Sequence, residues 1–409
     1  DDGRWTATAL EIAHALCDAA YSHDDRCTWM GTTQDEDEET GDLEFTYRTL
    51  GPSLYGGTSG IALFLAEAWA RSGESRLRET AERGVRQALK QADAFAREDR
   101  LGYYSGTVGV AWAAARAGRL LGRREFLDGA AELASDLPVD SVSLDVIDGA
   151  AGAVPALLSL AKDLASPALR EVAITLGHRI VDAATIHESG AMSWAQPDAD
   201  DDQPHLTGFA HGAAGIGWSL LELFRISNER RFLDAAHAAF QYENEWFRAD
   251  IDNWPDFREA LESGEVPPCG AAWCHGAPGI GLSRLRALEL TADDRHRDDA
   301  RAAMRTAMRT LAAQRDAADP DWSLCHGLAG ICDLLLYGSR VLADESLRAA
   351  VVDAAAIAAH RYRGNPGAWP VGVLRGSNPS LMLGTAGIGF FFLRLADPTL
   401  ASPLRPGAR

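Results

Sequence analysis

The stretch DWSLCHGLAGICDLLL, residues 321–336, sets Cys325 and His326 directly before Gly-Leu-Ala-Gly and an apolar run. Alone, the pair admits three readings: half of a metal site, a reactive thiol beside its base, or the start of a buried helix. The Gly-x-x-Gly decides the fold, because it recurs. It returns in YGGTSGIALFL (55–65), YSGTVGVAWAA (104–114), IDGAAGAVPALL (147–158), AHGAAGIGWSLL (210–221), CHGAPGIGLSRL (274–285) and MLGTAGIGFFFL (382–393). The seven leading glycines, Gly57, Gly106, Gly149, Gly212, Gly276, Gly327 and Gly384, lie 43 to 64 residues apart. That spacing fits one helical hairpin with a variable loop, the mark of a repeat architecture.

Each motif leads into an Ala/Leu/Ile/Gly-rich run with few charges, expected of a helix buried on most sides. Between motifs lie charged segments of helical period, such as SRLRETAERGVRQALKQADAFA (75–96) and DRHRDDARAAMRTAMRTLAAQ (294–314). The alternation predicts an all-α protein of seven hairpins, motif helices inside and charged helices outside. Neither end shows the polar capping repeat that an open solenoid needs, so the hairpins are expected to close into an α/α toroid. Two glycines three residues apart at a helix start permit tight turns and close approach of neighbours. No copy continues into the Lys-Ser/Thr of a phosphate-binding loop.

Composition narrows the function. With 39 basic against 59 acidic residues, a net charge of −20 and only two lysines, Lys90 and Lys162, the surface repels phosphate backbones and argues against nucleic-acid binding. A salt-adapted surface and a GC-rich coding sequence both read this way. Apolar runs such as GIALFLAEAWA (60–70) are shorter than the roughly 20 residues of a membrane span, and no basic-then-apolar leader opens the sequence. We therefore expect a cytoplasmic protein, one domain over 1–409, its six cysteines reduced or bound to metal rather than paired.

Aligning the copies on the leading glycine exposes what is not scaffold. One residue before it come Gly56, Ser105, Asp148, His211, His275, His326 and Leu383; two before it come Tyr55, Tyr104, Ile147, Ala210, Cys274, Cys325 and Met382. Ligands and bases concentrate in repeats three to six, and in a closed ring equivalent positions face a common mouth. Cys274, Cys325 and His326 together form a soft Cys2His set of the type that holds Zn2+ with a fourth position open. A small buried residue at a helix start is the alternative for either cysteine by itself. Cys269 is a second-ranked ligand, Cys332 is expected in the core, and Cys17 and Cys27 carry no signal. His211 and His275 are candidate proton carriers at neutral pH. Asp145 and Asp148 are the nearest carboxylates to orient them.

On WCHGAPGIGL (273–282), LCHGLAGI (324–331), FAHGAAGIG (209–217) and LDVIDGAAG (144–152), the sequence resembles the lanthionine synthetase C-like family. LYGGTSGIALFLAE (54–67) and FFFLRLADP (390–398) resemble most the cyclase domain of the class II bifunctional synthetases. The resemblance implies a seven-fold toroid with Cys274, Cys325 and His326 as zinc ligands, His211 as acid/base and Asp145 as the carboxylate that orients it. It implies addition of peptide cysteine thiolates to dehydroalanine or dehydrobutyrine, giving (methyl)lanthionine rings in a ribosomally made precursor. The expected partners are that dehydrated precursor peptide and a dehydratase, separate or fused upstream, so that the chain is either a free-standing cyclase or the C-terminal part of a longer enzyme. Some members carry an Arg four residues before the first zinc Cys; here that position is Gly270. The loops 193–209 and 248–273 are expected to border the mouth and contact the precursor. Two other readings stand beside this one: a zinc-dependent hydrolase on an α/α toroid, and a non-catalytic scaffold gripping glutathione or a peptide.

Overall fold

A computed structural model describes residues 3–36, 43–140, 142–197, 203–258, 267–372, 378–405 and 407. The chain begins with α1 (Arg4–Asp18), followed by two small antiparallel ribbons, β1 (Tyr21–His23) with β2 (Arg26–Thr28) and β3 (Met30–Glu36) with β4 (Leu43–Thr49). Hairpins then succeed one another: α2 (Thr58–Ser72) with α3 (Ser75–Gln91), α4 (Thr107–Leu121) with α5 (Arg124–Leu133), and α6 (Ala150–Asp163) with α7 (Pro167–Asp182). After the short ribbon β5 (Thr185–Ile186) and β6 (Met192–Ser193) come α8 (Ala213–Ser227) with α9 (Arg230–Glu245), α10 (Ala277–Thr291) with α11 (Arg295–Gln314), and α12 (Leu328–Leu342) with α13 (Glu345–Arg361). The last helix, α14 (Thr385–Ala396), has no successor among the described residues.

Every Gly-x-x-Gly opens an even-numbered helix, and these helices form the inner ring, each packed on the next and α14 packed on α2. The seventh hairpin is completed across the ends of the chain: α1 lies against α14, with Trp5 stacked on Phe392 at 6.0 Å. The fold is thus the expected all-α toroid, and its closing outer helix comes from the N-terminal end. Inner helices are enveloped, α2 being buried continuously from Thr58 to Ala68, whereas the outer α3 buries only one face through Leu77, Ala81, Val85 and Ala88. The longer apolar runs are spent on this core, and no helix among the described residues is long and apolar enough to cross a membrane.

A belt of backbone hydrogen bonds fixes the ring where the inner helices begin. Tyr55 N–H donates to Tyr104 O, Tyr104 to Ile147, Val146 to Ala210, Ala210 to Cys274, Trp273 to Cys325, Cys325 to Met382, and Met382 back to Tyr55. All seven acceptors are the residues two before the leading glycines. The second glycine of each motif has a steric reason rather than a conformational one. A Cβ at Gly109, Gly215 or Gly330 would run into the carbonyl six residues upstream, Tyr103, Phe209 or Leu324. Close approach therefore involves the motif's own loop backbone as much as a neighbouring helix. At the opposite end of the ring the C-terminal segment plugs the axis, its Pro403 and Leu404 carbonyls accepting from Tyr104 Oη (2.7 Å) and Trp273 Nε1 (3.0 Å).

Candidate functional site

Inside the belt lies a cavity of about 490 Å³, walled by Pro52, Tyr55, Phe95, Ile147 and Ala210 and carrying His211, Arg258, Cys274, Cys325 and His326. The seven inner helices direct their N-terminal ends at this mouth, and the positive ends of helix dipoles favour anionic groups there. Cys274 and Cys325 stand two residues before their glycines, at two of these helix starts.

Cys274, Cys325 and His326 offer ligand atoms that all lie within 4.8 Å of one another. Donors around a tetrahedral zinc, with Zn–S of about 2.3 Å and Zn–N of about 2.0 Å, stand roughly 3.5–4 Å apart, so this grouping fits the ion. One further observation supports the fit. His326 Nδ1 is buried with no hydrogen-bond partner among the described residues. The two sulfurs share charge unequally. Hydrogen bonds from Cys325, His275 and His326 hold the Cys274 sulfur toward thiolate in spite of burial, while burial and the neighbouring Cys274 charge push the Cys325 thiol up. Cys325 Sγ is 3.9 Å from His326 Nε2, and Tyr55 hydrogen-bonds the Cys325 sulfur. Cys269 lies outside the group, beside Arg248 and Asp250, and Cys332 is fully buried in the core. Cys17 and Cys27 are buried near the outer face of α3.

His211 faces the same cavity from the fourth repeat. Its Nδ1 is 2.5 Å from Asp145 Oδ2, and Asp145 is buried. Burial alone would lower the imidazole pKa, but the hydrogen bond and charge of Asp145, reinforced by Asp148, outweigh it and raise the pKa above the ordinary 6.5. With Nδ1 committed, Nε2 is the ring nitrogen left for chemistry. Asp148 turns away: its carboxylate accepts from Ser105 Oγ, and its backbone N–H donates to Asp145 Oδ1 at 2.8 Å. The Asp145 carboxylate therefore serves His211 through one oxygen and fixes the turn through the other, while that of Asp148 is held by Ser105. No carboxylate among the described residues lines the cavity itself.

His275 does not line the cavity. It stands behind Cys274, its Nδ1 facing Cys274 Sγ at 3.1 Å and Arg258 Nη2 at 2.7 Å, its Nε2 3.8 Å from Asp256. Nδ1 is engaged and Nε2 lies only within ion-pair reach of Asp256, so the ring braces its neighbours. Arg258 is the cavity residue the repeat register missed. It sits in the loop after α9, where no register applies, and Asp256 grips its guanidinium at 2.9 Å (Nε) and 2.6 Å (Nη2). Its side chain is a cation on the cavity wall close to both cysteines. The signal available was Gly270: a Cβ there would overlap the His275 ring, so a side chain at 270 and the present His275 position exclude each other. The expected loops do border the mouth, Gln196 Nε2 donating to His211 O at 2.9 Å; residues 198–202 and 259–266 of them lie outside the described residues.

The profile of lanthionine synthetase C-like proteins matches residues 48–406. Among solved structures the chain is similar to a nisin cyclase, at 17% identity and a TM-score of 0.64, over 85% of this chain and 89% of that one. It is also similar to the Lin0763 protein from Listeria innocua, at 13% identity and a TM-score of 0.54, over 96% and 97%. A family 76 glycoside hydrolase from a bovine Bacteroides thetaiotaomicron strain follows at 11% identity and a TM-score of 0.51, over 97% and 78%. At these identities the structural likeness speaks for the fold alone.

Proposed function

The chain belongs to the lanthionine synthetase C-like family, and from that premise we propose that it is a zinc-dependent cyclase, one domain over 1–409 of the class II type, closing thioether rings in a dehydrated peptide. A single arrangement carries the proposal: a Cys2His group and an Asp-buttressed His share one cavity that no described carboxylate lines. The last point favours cyclisation over glycoside hydrolysis, which works through two carboxylates flanking the bond to be cleaved. Asp145 is taken up by His211, and Asp148 by Ser105.

Cys274, Cys325 and His326 would hold the zinc. When bound, zinc supplies the Lewis acidity that brings a peptide thiol, with an ordinary pKa of about 8.5, into its thiolate form near neutral pH. The apolar wall of Pro52, Tyr55, Phe95 and Ile147 receives the dehydroalanine or dehydrobutyrine and excludes water. As the new C–S bond forms at Cβ, the π pair moves to Cα and the adjacent carbonyl. His211, protonated at Nε2 and held by Asp145, then delivers its proton to Cα. It regains one from solvent, matching the proton the thiol gave up. Arg258 lies near enough to the sulfurs to favour negative charge in the cavity, and we assign His275 as the positioning residue that keeps Arg258 and Cys274 in place. The dehydro residues must come from a dehydratase, separate or fused.

The test is the purified chain with a linear peptide carrying one dehydroalanine and one cysteine, following loss of the free thiol by alkylation and mass spectrometry. We expect thiol loss well above the spontaneous rate, and its return to that rate in Cys325→Ala and His211→Ala. Parent-like rates in both variants would sink the assignment. An intact metal site that turns over no dehydrated peptide would instead favour the binding-module reading.

A further inference from the structure

A second group of metal-type donors lies away from the cavity, between two outer helices. His237 on α9, Asp293 just before α11 and His296 in its first turn offer ligand atoms within 4.8 Å of one another. The two imidazole rings are 5.1 Å apart, inclined at 41°. His296 is only 6% exposed, and the Nε2 atoms of both histidines are buried with no hydrogen-bond partner among the described residues. Leaving two buried ring nitrogens unsatisfied carries a desolvation penalty that folded proteins rarely leave standing. The pair does not relieve it internally, because no hydrogen bond joins the two rings.

We infer that His237, Asp293 and His296 form a second metal site, taking a divalent transition ion of the zinc type and bracing α9 against α11. Two imidazoles and a carboxylate suit zinc, cobalt or nickel better than magnesium or calcium, which prefer all-oxygen shells. Nitrogens sharing one ion at about 2.0–2.1 Å are roughly 3–4 Å apart, consistent with rings that sit close without bonding to each other. The backbone N–H of Arg295 donates to Asp293 Oδ1 at 3.1 Å. The Arg295 guanidinium holds the same carboxylate at 2.6 Å (Nη2 to Oδ2) and 3.1 Å (Nε to Oδ1), the outer-shell bond that orients a metal-binding carboxylate. Asp299 and Asp234 lie nearby to offset the charges of Arg284 and Arg295. Burial, aided by Arg284, brings His296 down to about 4, and burial also lowers His237.

The site binds to the functional end of the molecule through α9. One and a half turns on from His237, Glu243 accepts from the backbone N–H of Gly208 and of Ala214, both at 2.9 Å, on either side of His211. The proposal is independent of the cyclase reading and is tested separately from it. Metal-stripped full-length protein is titrated with Co2+, whose thiolate charge-transfer absorption reports the cysteine site and is silent for a His/Asp site. We expect two equivalents per chain, one with and one without that absorption. His237→Gln should bind one equivalent with the absorption intact, which also shows that the ring has folded. Asp293→Asn, at a more exposed position, serves the same purpose if His237→Gln does not fold. A parent that binds no equivalent lacking that absorption, or variants that still bind it, would overturn the inference.

Discussion

Asp145→Asn isolates the contribution of one carboxylate to proton transfer. The substitution is isosteric, and Asn Oδ1 can still accept from Asp148 N–H, now at 2.8 Å, so the turn before α6 is preserved. What changes is the 2.5 Å contact with His211 Nδ1. An amide nitrogen placed there donates, which forces Nδ1 to accept and leaves the imidazolium without its partner. A hydrogen bond to a charged group is worth about 1.5–3 kcal/mol, and its loss from the proton-donating form corresponds to a rate decrease of roughly 10- to 150-fold. The pH profile moves as well. Asp145 raises the His211 pKa, so its removal shifts the alkaline limb of the rate profile toward lower pH. Stability follows the same sign. A raised histidine pKa stabilises the fold fully below 6.5, and that contribution fades as pH climbs through the folded-state value. The stability gap between parent and variant is therefore widest below 6.5 and narrows above it. Thiol-loss kinetics across pH, with His211 ring protons followed by NMR, measure both effects. A variant with parent-like rate and an unmoved alkaline limb would refute the role given to Asp145.

The remaining predictions concern the metal, the brace and the core. Cys325→Ala should abolish zinc retention at the cavity, while Cys269→Ser leaves it unchanged, as read by metal analysis of the cobalt form with thiolate absorption. Gly270→Ala sets a Cβ against the His275 ring, an overpacking expected to cost about 1–3 kcal/mol and to slow cyclisation by displacing His275 from Arg258; an unaltered rate would remove His275 from its positioning role. Glu243→Ala strips Arg284 of a partner 2.9 Å away, with both side chains fully buried, and should destabilise the protein by about 3–5 kcal/mol in denaturant melts.

The inner ring was legible because burial on all sides and a repeated steric constraint leave a strong imprint: few charges after each motif, and glycine wherever a Cβ would meet a carbonyl. Cys274, Cys325, His326 and His211 were legible because ring closure turns a shared register into a shared location. Asp145 came within reach only as a neighbour of that register. The pairing of α1 with α14 left no imprint, because its partners are joined by spatial closure and not by a loop. Arg258 was hidden for a related reason. A loop residue gripped by Asp256 obeys no period, and its place became visible only once Gly270 and His275 were seen to compete for one space. His275 shares the register yet points elsewhere, since a position fixes where a side chain starts and not which neighbour captures it.

The belt explains why one ring can carry such unlike residues at equivalent places. Its hydrogen bonds use backbone groups alone, so the side chains one and two before each leading glycine are free to vary from Gly56 and Ser105 to His211 and His326 without loosening the ring. The belt does shift at two points: in repeats three and five the donors are Val146 and Trp273, one residue earlier than in the other five. These repeats supply Asp145 and Cys274. Repeat five also differs at its glycine, Gly276 having φ of 76° where the other six lie between −107° and −139°. A left-handed turn at that point requires glycine and re-aims the segment that holds Cys274 and His275. Side-chain substitution on an unchanged belt accounts for His211, Cys325 and His326. Placing Cys274 beside them took a change in the backbone itself.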